Sequence, residues 1–438
     1  MRKSVNPFII ILQKRGFTPY FLDLYSILTY YGIYIYLTKY VFYKATGGFV
    51  MTRTLTAFTL EIDDIETAVS EILEQLALSE NLLKNSVGII SCYSEFINTG
   101  VVRELCRVLP FDVVGTTTIA CGVNGEFSET MLSLMVITSD ETEFVAGITE
   151  AISSDDESIL RNGYESAAVK FSDKPKFMIS FAPLLMNIGA EFYIDAMDNI
   201  TGGIPNYGTL AVDHHADYHE AQVIYNGEAF SDRYAMVLVG GDISPVFMVA
   251  GISNENVFPE KGVVTAAIAN QLQTVNNISV VDYLHSLGLE KDGEGGIIGI
   301  NSFPFVVDYN DGSKPIVRVM FALTPDGSAV CGGDMPIGAT LSVGKIDSGE
   351  VLATTKRLLK DVLEKNNVST MLMFSCVGRY FAQGFNQTAE MQLVGDVLDD
   401  TEVTYQLIYS GGELCPVYDR DKKAVNRNHN DTFIICAF

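Results

Sequence analysis

The chain has 438 residues, with 29 Lys plus Arg against 54 Asp plus Glu, for a formal net charge of -25. At 48% apolar it belongs with folded chains rather than disordered ones, and its length allows two or three domains with real cores. So negative a surface repels phosphate and argues against nucleic acid as a partner, while seven scattered cysteines without a C-x-x-C pair fit reduced thiols, not a disulfide framework or zinc cluster.

The composition breaks near residue 50. Residues 1–50 carry six basic residues against the single acid Asp23, and hold 13 of the chain's 46 aromatics, eight of them Tyr. The uncharged run at 24–38 is shorter than the roughly 20 residues a span needs, and no small-residue cleavage site follows the basic region. Two expectations remain: a start called too early, with true initiation at Met51, or a membrane-associating segment. The fold is read from Met51 onward.

A β-prone run at 52–62 leads to Asp63 and Asp64, placed at the start of an amphipathic stripe through Ile65, Ala68, Val69, Ile72, Leu73 and Leu76. Residues 86–92 read as a buried strand and 99–109 as a helix ending at Pro110. Residues 111–118 read as a strand entering a small-residue loop, and 130–138 with 143–148 as two strands joined by a turn at 139–141. The unit then recurs: helix 150–170, strand 177–181, helix 187–200, a Gly208-Thr209 turn, and paired strands 222–225 and 234–239 around Asn226-Gly227. That order predicts an internal duplication in the N-terminal half.

Residues 262–287 read as a helix-like connector and 291–296 as a glycine-rich charged turn. A strand pair at 316–323 and 328–331 follows around Pro325-Asp326-Gly327. Asp347 and Glu350 open a helix with the stripe Val351, Leu352, Thr355, Leu358, Leu359 and Val362. Then come strand 371–379, helix 388–398, strand 406–409 and a last strand at 431–438. Helices alternating with strands, many in hairpins, predict an α/β (mixed α+β) fold: two halves of mixed β-sheet layered with helices. The expected boundaries are the 1–50 extension, 51–277 and 278–438.

Four groups of residues could carry chemistry. The glycines at 293–299 lack the strand, helix and Lys-Ser/Thr of a phosphate loop and read as a flexible turn. In His214-His215-x-x-x-His219-Glu220, His215 and His219 would share a helix face and could hold a metal; lying between strands, the segment reads instead as an exposed polar loop. Cys376, Cys415 and His429 would allow a thiol-dependent hydrolase if an imidazole lowered a thiol's pKa; the alternative is a buried, inert thiol. The fourth group joins Ser375–Arg379, Glu390, Gly411-Gly412-Glu413…Pro416 and Asn428–Thr432, polar residues at the ends of apolar strands, where ligand-binding loops gather. There Arg379 offers a fork for a carboxylate and Glu413 a seat for an ammonium, unless the two pair with each other and brace the fold.

This last group, in this order, resembles the C-terminal half of the FIST family: a Ser-Cys-small-Gly-Arg turn, a Glu-bearing helix, a Gly-Glu-x-x-Pro element and a terminal His-Asn-x-Thr. Residues 316–327 and Gly333–Gly338 resemble the strand pair that opens that half. Val113–Thr118 and the block from Gly202 through Asp213 and Asn226-Gly227 to Gly240 resemble its N-terminal half, except that Ile119-Ala120-Cys121-Gly122 stands where an alanine-glycine pair is more usual. The resemblance implies a cytoplasmic sensory module for signal transduction, made of FIST N-type and FIST C-type domains and binding a small ligand such as an amino acid or related metabolite. It directs attention to Arg379, Glu413, His429, Asn430, Thr432, Cys376, Gly412, Gly115 and Thr116 as ligand-binding residues. No cofactor and no metal are implied. The chain ends directly after its last strand, so signalling is expected to pass through a separate signalling protein, with membrane contact only through residues 1–50. The alternatives are the thiol-dependent hydrolase and a ligand-free interaction scaffold.

Overall fold

In the computed structural model, which describes residues 52–438 apart from Met186, Glu294 and Gly295, one strand-and-helix unit is built three times. The readings placed on residues 1–50 lie outside the described residues.

The first unit runs β1 (Thr52–Thr59), α1 (Ile65–Leu76), β2 (Asn85–Cys92), α2 (Val101–Val108), β3 (Asp112–Thr117), a hairpin of β4 (Cys121–Val123) and β5 (Glu126–Ser128), and β6 (Leu132–Ser139). The second repeats it: β7 (Thr142–Ile148), α3 (Glu157–Ala168), β8 (Phe177–Ala182), α4 (Ala190–Thr201), β9 (Asn206–Leu210), hairpin β10 (Val223–Tyr225) and β11 (Glu228–Phe230), and β12 (Ala235–Gly241). The third opens with β13 (Val246–Ala250) and is interrupted by an insert. The insert holds β14 (Gly262–Ile268), β15 (Gln271–Val275), β16 (Ile278–Ser279), α5 (Val280–Ser286), β17 (Phe305–Asp308), β18 (Ile316–Arg318), β19 (Met320–Leu323), β20 (Ala329–Cys331) and β21 (Thr340–Val343). The third unit then resumes with α6 (Ser348–Lys365), β22 (Thr370–Cys376), α7 (Val377–Ala382), α8 (Ala389–Leu398), β23 (Thr404–Ser410), hairpin β24 (Glu413–Tyr418) and β25 (Ala424–His429), and β26 (Phe433–Ala437).

The three sheets have one topology: β1-β6-β2-β3-β10-β11, β7-β12-β8-β9-β24-β25 and β13-β26-β22-β23-β4-β5. In each, one parallel pair (β2 with β3, β8 with β9, β22 with β23) is flanked by antiparallel strands. Each unit's hairpin leaves its own sheet and completes another. The second unit's hairpin finishes the first sheet, the third's finishes the second, and the first's finishes the third. An asparagine marks each of these junctions by accepting from the N–H of a strand residue: Val113 to Asn226 Oδ1 at 2.8 Å, Asn206 to Asn426 Oδ1 at 2.8 Å, and Tyr405 to Asn124 Oδ1 at 2.9 Å. The duplication read in the N-terminal half therefore has a third copy in the C-terminal half, and the two halves share sheets.

Strand alternation explains the layering. Val87 and Ile89 of β2, Ile179 and Phe181 of β8, and Leu372 and Phe374 of β22 meet in one core enclosed by the three sheets. Their neighbours Ile90, Met178 and Met373 face outward, into three separate cores under the helices. Helix starts follow the acids: Asp64 Oδ1 accepts from Thr67 N at 3.2 Å, and Asp347 Oδ1 from Glu350 N at 3.0 Å.

Three local readings are corrected. Residues 262–287 hold two paired strands, β14 and β15, before the short α5. Asn226-Gly227 closes β10 on β11, not on β12, which belongs to another sheet. The turn at 139–141 links β6 to β7 as read, but these strands enter different sheets. Among the described residues, no helix is long and apolar enough to cross a membrane.

Candidate functional site

A cleft of about 390 Å³ opens where the parallel strands β22 and β23 end, at Cys376 and Gly411. Its floor continues through Gly378 at the start of α7 and through Asn430 and Asp431, in the turn from β25 to β26. One wall is Tyr218, from the loop after β9; the other comes from the insert, with Phe321, Asn301 and Ser302. The C-terminal ends of parallel strands commonly make such sites, because the loops leaving them diverge and leave a crevice.

The cleft's character is set by two buried carboxylates. Asp431 lies in the cleft in a left-handed backbone conformation (φ 51°), which Asp tolerates better than most residues, and its Oδ2 has no hydrogen-bond partner. Glu413 accepts from the Thr432 hydroxyl through Oε2 at 2.8 Å, and its Oε1 likewise has no partner. Burial is the main reason their carboxyls are pushed up, Glu413 to about 8 and Asp431 to about 7; the nearby Asp431 adds to the shift at Glu413 and Arg379 moderates both. A buried acceptor left without a donor costs about 1–3 kcal/mol, and of the two residues Asp431 lines the cleft while Glu413 lies behind it. Gly378 makes the arrangement possible, because a Cβ there would stand 2.0 Å from Asp431 Oδ1.

Of the residues singled out from the sequence, Cys376 and Asn430 line this cleft. Glu413 and Thr432 form the hydrogen-bonded pair whose carboxylate neighbours Asp431 and Cys376. Arg379 is a correction. It is fully buried, and its guanidinium donates to Glu390 Oε1 at 2.6 and 3.1 Å, to the Val351 carbonyl at 2.9 Å and to the Thr355 hydroxyl at 2.6 Å. Arg379 pairs with Glu390, not Glu413, and has no donor directed to a ligand. It braces α6, α7 and α8.

His429 is also turned away from the cleft. Its Nε2 lies 3.0 Å from the Cys415 carbonyl, its Nδ1 has no partner, and burial holds its pKa down to about 3, so the ring is neutral. Neither Cys376 nor Cys415 has an imidazole partner, and burial pushes both thiols well above the ordinary cysteine range. Gly412 works in the turn itself: its N–H donates to Ser410 Oγ at 3.1 Å and its carbonyl accepts from Leu210 N at 2.9 Å. Gly115 and Thr116 lie in β3 of the first sheet and do not line the cleft; a Cβ on Gly115 would stand 1.7 Å from the Ile90 carbonyl.

Sequence reasoning chose none of Asp431, Gly378, Tyr218 and Phe321 as ligand contacts, although Gly378 and Asp431 lie within its fourth group. Asp431 stood inside a quoted motif, and its signal was an acid in a short turn between two apolar strands. Tyr218 and Phe321 carry no local signal, because distant loops bring them to the cleft. The family model for the FIST N domain matches residues 86–278 of this chain, and that for the FIST C domain matches residues 282–416. No curated protein matches the sequence.

Proposed function

Because the chain belongs to the FIST family, whose domains are sensory, we propose that it senses a small amine-bearing ligand, such as an amino acid, bound in the cleft at Asp431. One observation carries this reading: two buried carboxylates, each with an oxygen lacking any partner, stand at or behind a cleft of about 390 Å³. An ammonium group satisfies both needs at once, supplying hydrogen bonds and a positive charge. Asn301 and Ser302 on the insert offer polar side chains to the ligand's other end, and Phe321 an apolar surface. The ligand would thus join the insert to the three-sheet core, and occupancy would be read by a separate signalling protein.

The site supports binding more readily than thiol catalysis. The Cys376 thiol is held protonated, and His429 is bonded elsewhere. The test is a thermal-shift panel of amino acids, simple amines and simple carboxylates matched in size. A ligand at 100 times its dissociation constant stabilises a fold by about 2.7 kcal/mol, enough to move the melting temperature measurably. The reading requires amine-bearing compounds to stabilise the protein and simple carboxylates not to. A response confined to carboxylates, or a well-folded protein with none, overturns it.

A further inference from the structure

The polar loop between β9 and β10 gathers three metal-ligating side chains. One donor atom each from His215, His219 and Glu220 lies within 4.8 Å of the other two. We propose that these three residues form a binding site for a divalent transition metal of the zinc class, independent of the ligand reading above.

Two backbone turns bring the residues together. The Tyr218 N–H donates to the His215 carbonyl at 3.1 Å, and the Ala221 N–H to the Tyr218 carbonyl at 3.1 Å. These turns set the His215 and His219 rings 4.0 Å apart, centroid to centroid, at a tilt of 38°, and bring His215 Nε2 to 3.4 Å from Glu220 Oε2. Outside this trio stands a second layer of partners. Asp217 Oδ1 holds His219 Nδ1 at 2.7 Å, which fixes the ring and makes its other nitrogen a better donor. Ser94, just after β2, donates to Glu220 Oε2 at 2.8 Å and ties that carboxylate to the first unit. Carboxylate-to-histidine pairing of this kind is the usual support of a metal-bound imidazole.

The ligand types select the metal. Two imidazoles with one carboxylate suit zinc and its neighbours over magnesium or calcium, and three protein ligands leave a further position for water. The side chains are accessible, at 45% exposure for His215, 55% for His219 and 37% for Glu220. Tyr218 lies between the two histidines and forms a wall of the cleft, so a metal here would pin that wall from both sides.

The experiment is a calorimetric titration of Zn²⁺ alone onto the metal-free full chain and two variants. The expected result is one saturable site, weakened at least 100-fold in the His215→Ala/His219→Ala double variant. Asp217→Asn should lose 10- to 100-fold, the usual cost of removing an orienting partner. Because all these side chains are exposed, the variants should keep the parent's circular dichroism and urea midpoint. Co²⁺ should give the visible absorption bands of a four-coordinate site, and the double variant should lose them. Absence of a saturable zinc site, or zinc affinity unchanged in the double variant, overturns the proposal.

Discussion

Arg379 meets Glu390 in a fully buried ion pair, Nη2 to Oε1 at 2.6 Å, eleven positions apart in the chain and on different helices. Glu390 is tied in turn to the Ser375 hydroxyl at 2.6 Å and to the Tyr409 hydroxyl at 3.1 Å, so the pair locks α7 and α8 to the ends of β22 and β23. The floor of the cleft hangs from this bracket. Its worth lies in holding position, since a buried pair offers little net stability over well-packed apolar groups.

Removing one partner is a different matter, because the other is left as an uncompensated buried charge. Arg379→Ala should therefore destabilise the protein by about 3–5 kcal/mol. Arg379→Lys should recover little, since a single ammonium cannot make the forked contacts with Glu390, Val351 and Thr355. Urea denaturation of both variants checks this; a stable Arg379→Ala protein would show the bracket to be dispensable.

The buried acids give the ligand-free protein a pH-dependent stability. Folding raises Glu413 to about 8 and Asp431 to about 7, above the roughly 4 of an unfolded carboxyl. Between these limits the folded state binds more protons than the unfolded one, so this contribution is full below about pH 4 and is lost as pH rises through 7 and 8. The urea midpoint of the wild type should fall from about pH 4 to about pH 8 through these two groups and level off above. Glu413→Gln and Asp431→Asn should each flatten that slope, and an unchanged slope in both would refute the assignment.

The interlocked sheets make a third prediction. Gly115 and Gly208 hold the same place in the first and second units, where a Cβ would stand 1.7 Å from the Ile90 carbonyl and 2.1 Å from that of Ser180. Alanine at either site has to push a parallel pair apart at a buried backbone, at a cost on the order of 3 kcal/mol. Chemical denaturation should show similar losses for Gly115→Ala and Gly208→Ala. Gly202, with nothing within 4 Å of its Cβ position, lacks this close approach.

Thiol reactivity separates sensing from thiol chemistry. Cys376 is buried and its pKa is raised by desolvation and by the neighbouring Glu413 and Asp431, so little thiolate exists at neutral pH. Iodoacetamide should label it slowly in the native protein and rapidly after unfolding. Fast labelling of native Cys376 would reopen the hydrolase alternative.

The sequence carried much of the frame. Short continuous apolar runs such as those at 86–92 and 371–376 marked buried strands, and Asp64 and Asp347 marked helix starts, because these signals are local. The insert's first hairpin was misread as a helix because its turn lies at Ala269 (φ 49°) and Asn270, without the Gly or Pro that usually announces one. Val264, Ile268, Leu272 and Val275 then mimic a helical stripe. The third repeat was hidden because the insert separates β13 from α6, and the exchange of hairpins is a long-range event with no local trace. At the site, the motif drew attention to Arg379 but could not say which carboxylate it meets. That choice is made by the packing of α7 against α8, and it left Asp431 rather than Arg379 facing the cleft.

The most direct test of the central claim is proton release on ligand binding. The amine that stabilises the protein best would be titrated calorimetrically at pH 7, in two buffers of different ionisation enthalpy, onto wild type and Asp431→Asn. If an ammonium displaces the protons held by Asp431 and Glu413, binding should release protons and tighten from pH 6 to 8, and both effects should shrink in Asp431→Asn, where only Glu413 can give up a proton. Binding without proton release, at the same affinity in Asp431→Asn, would contradict the account.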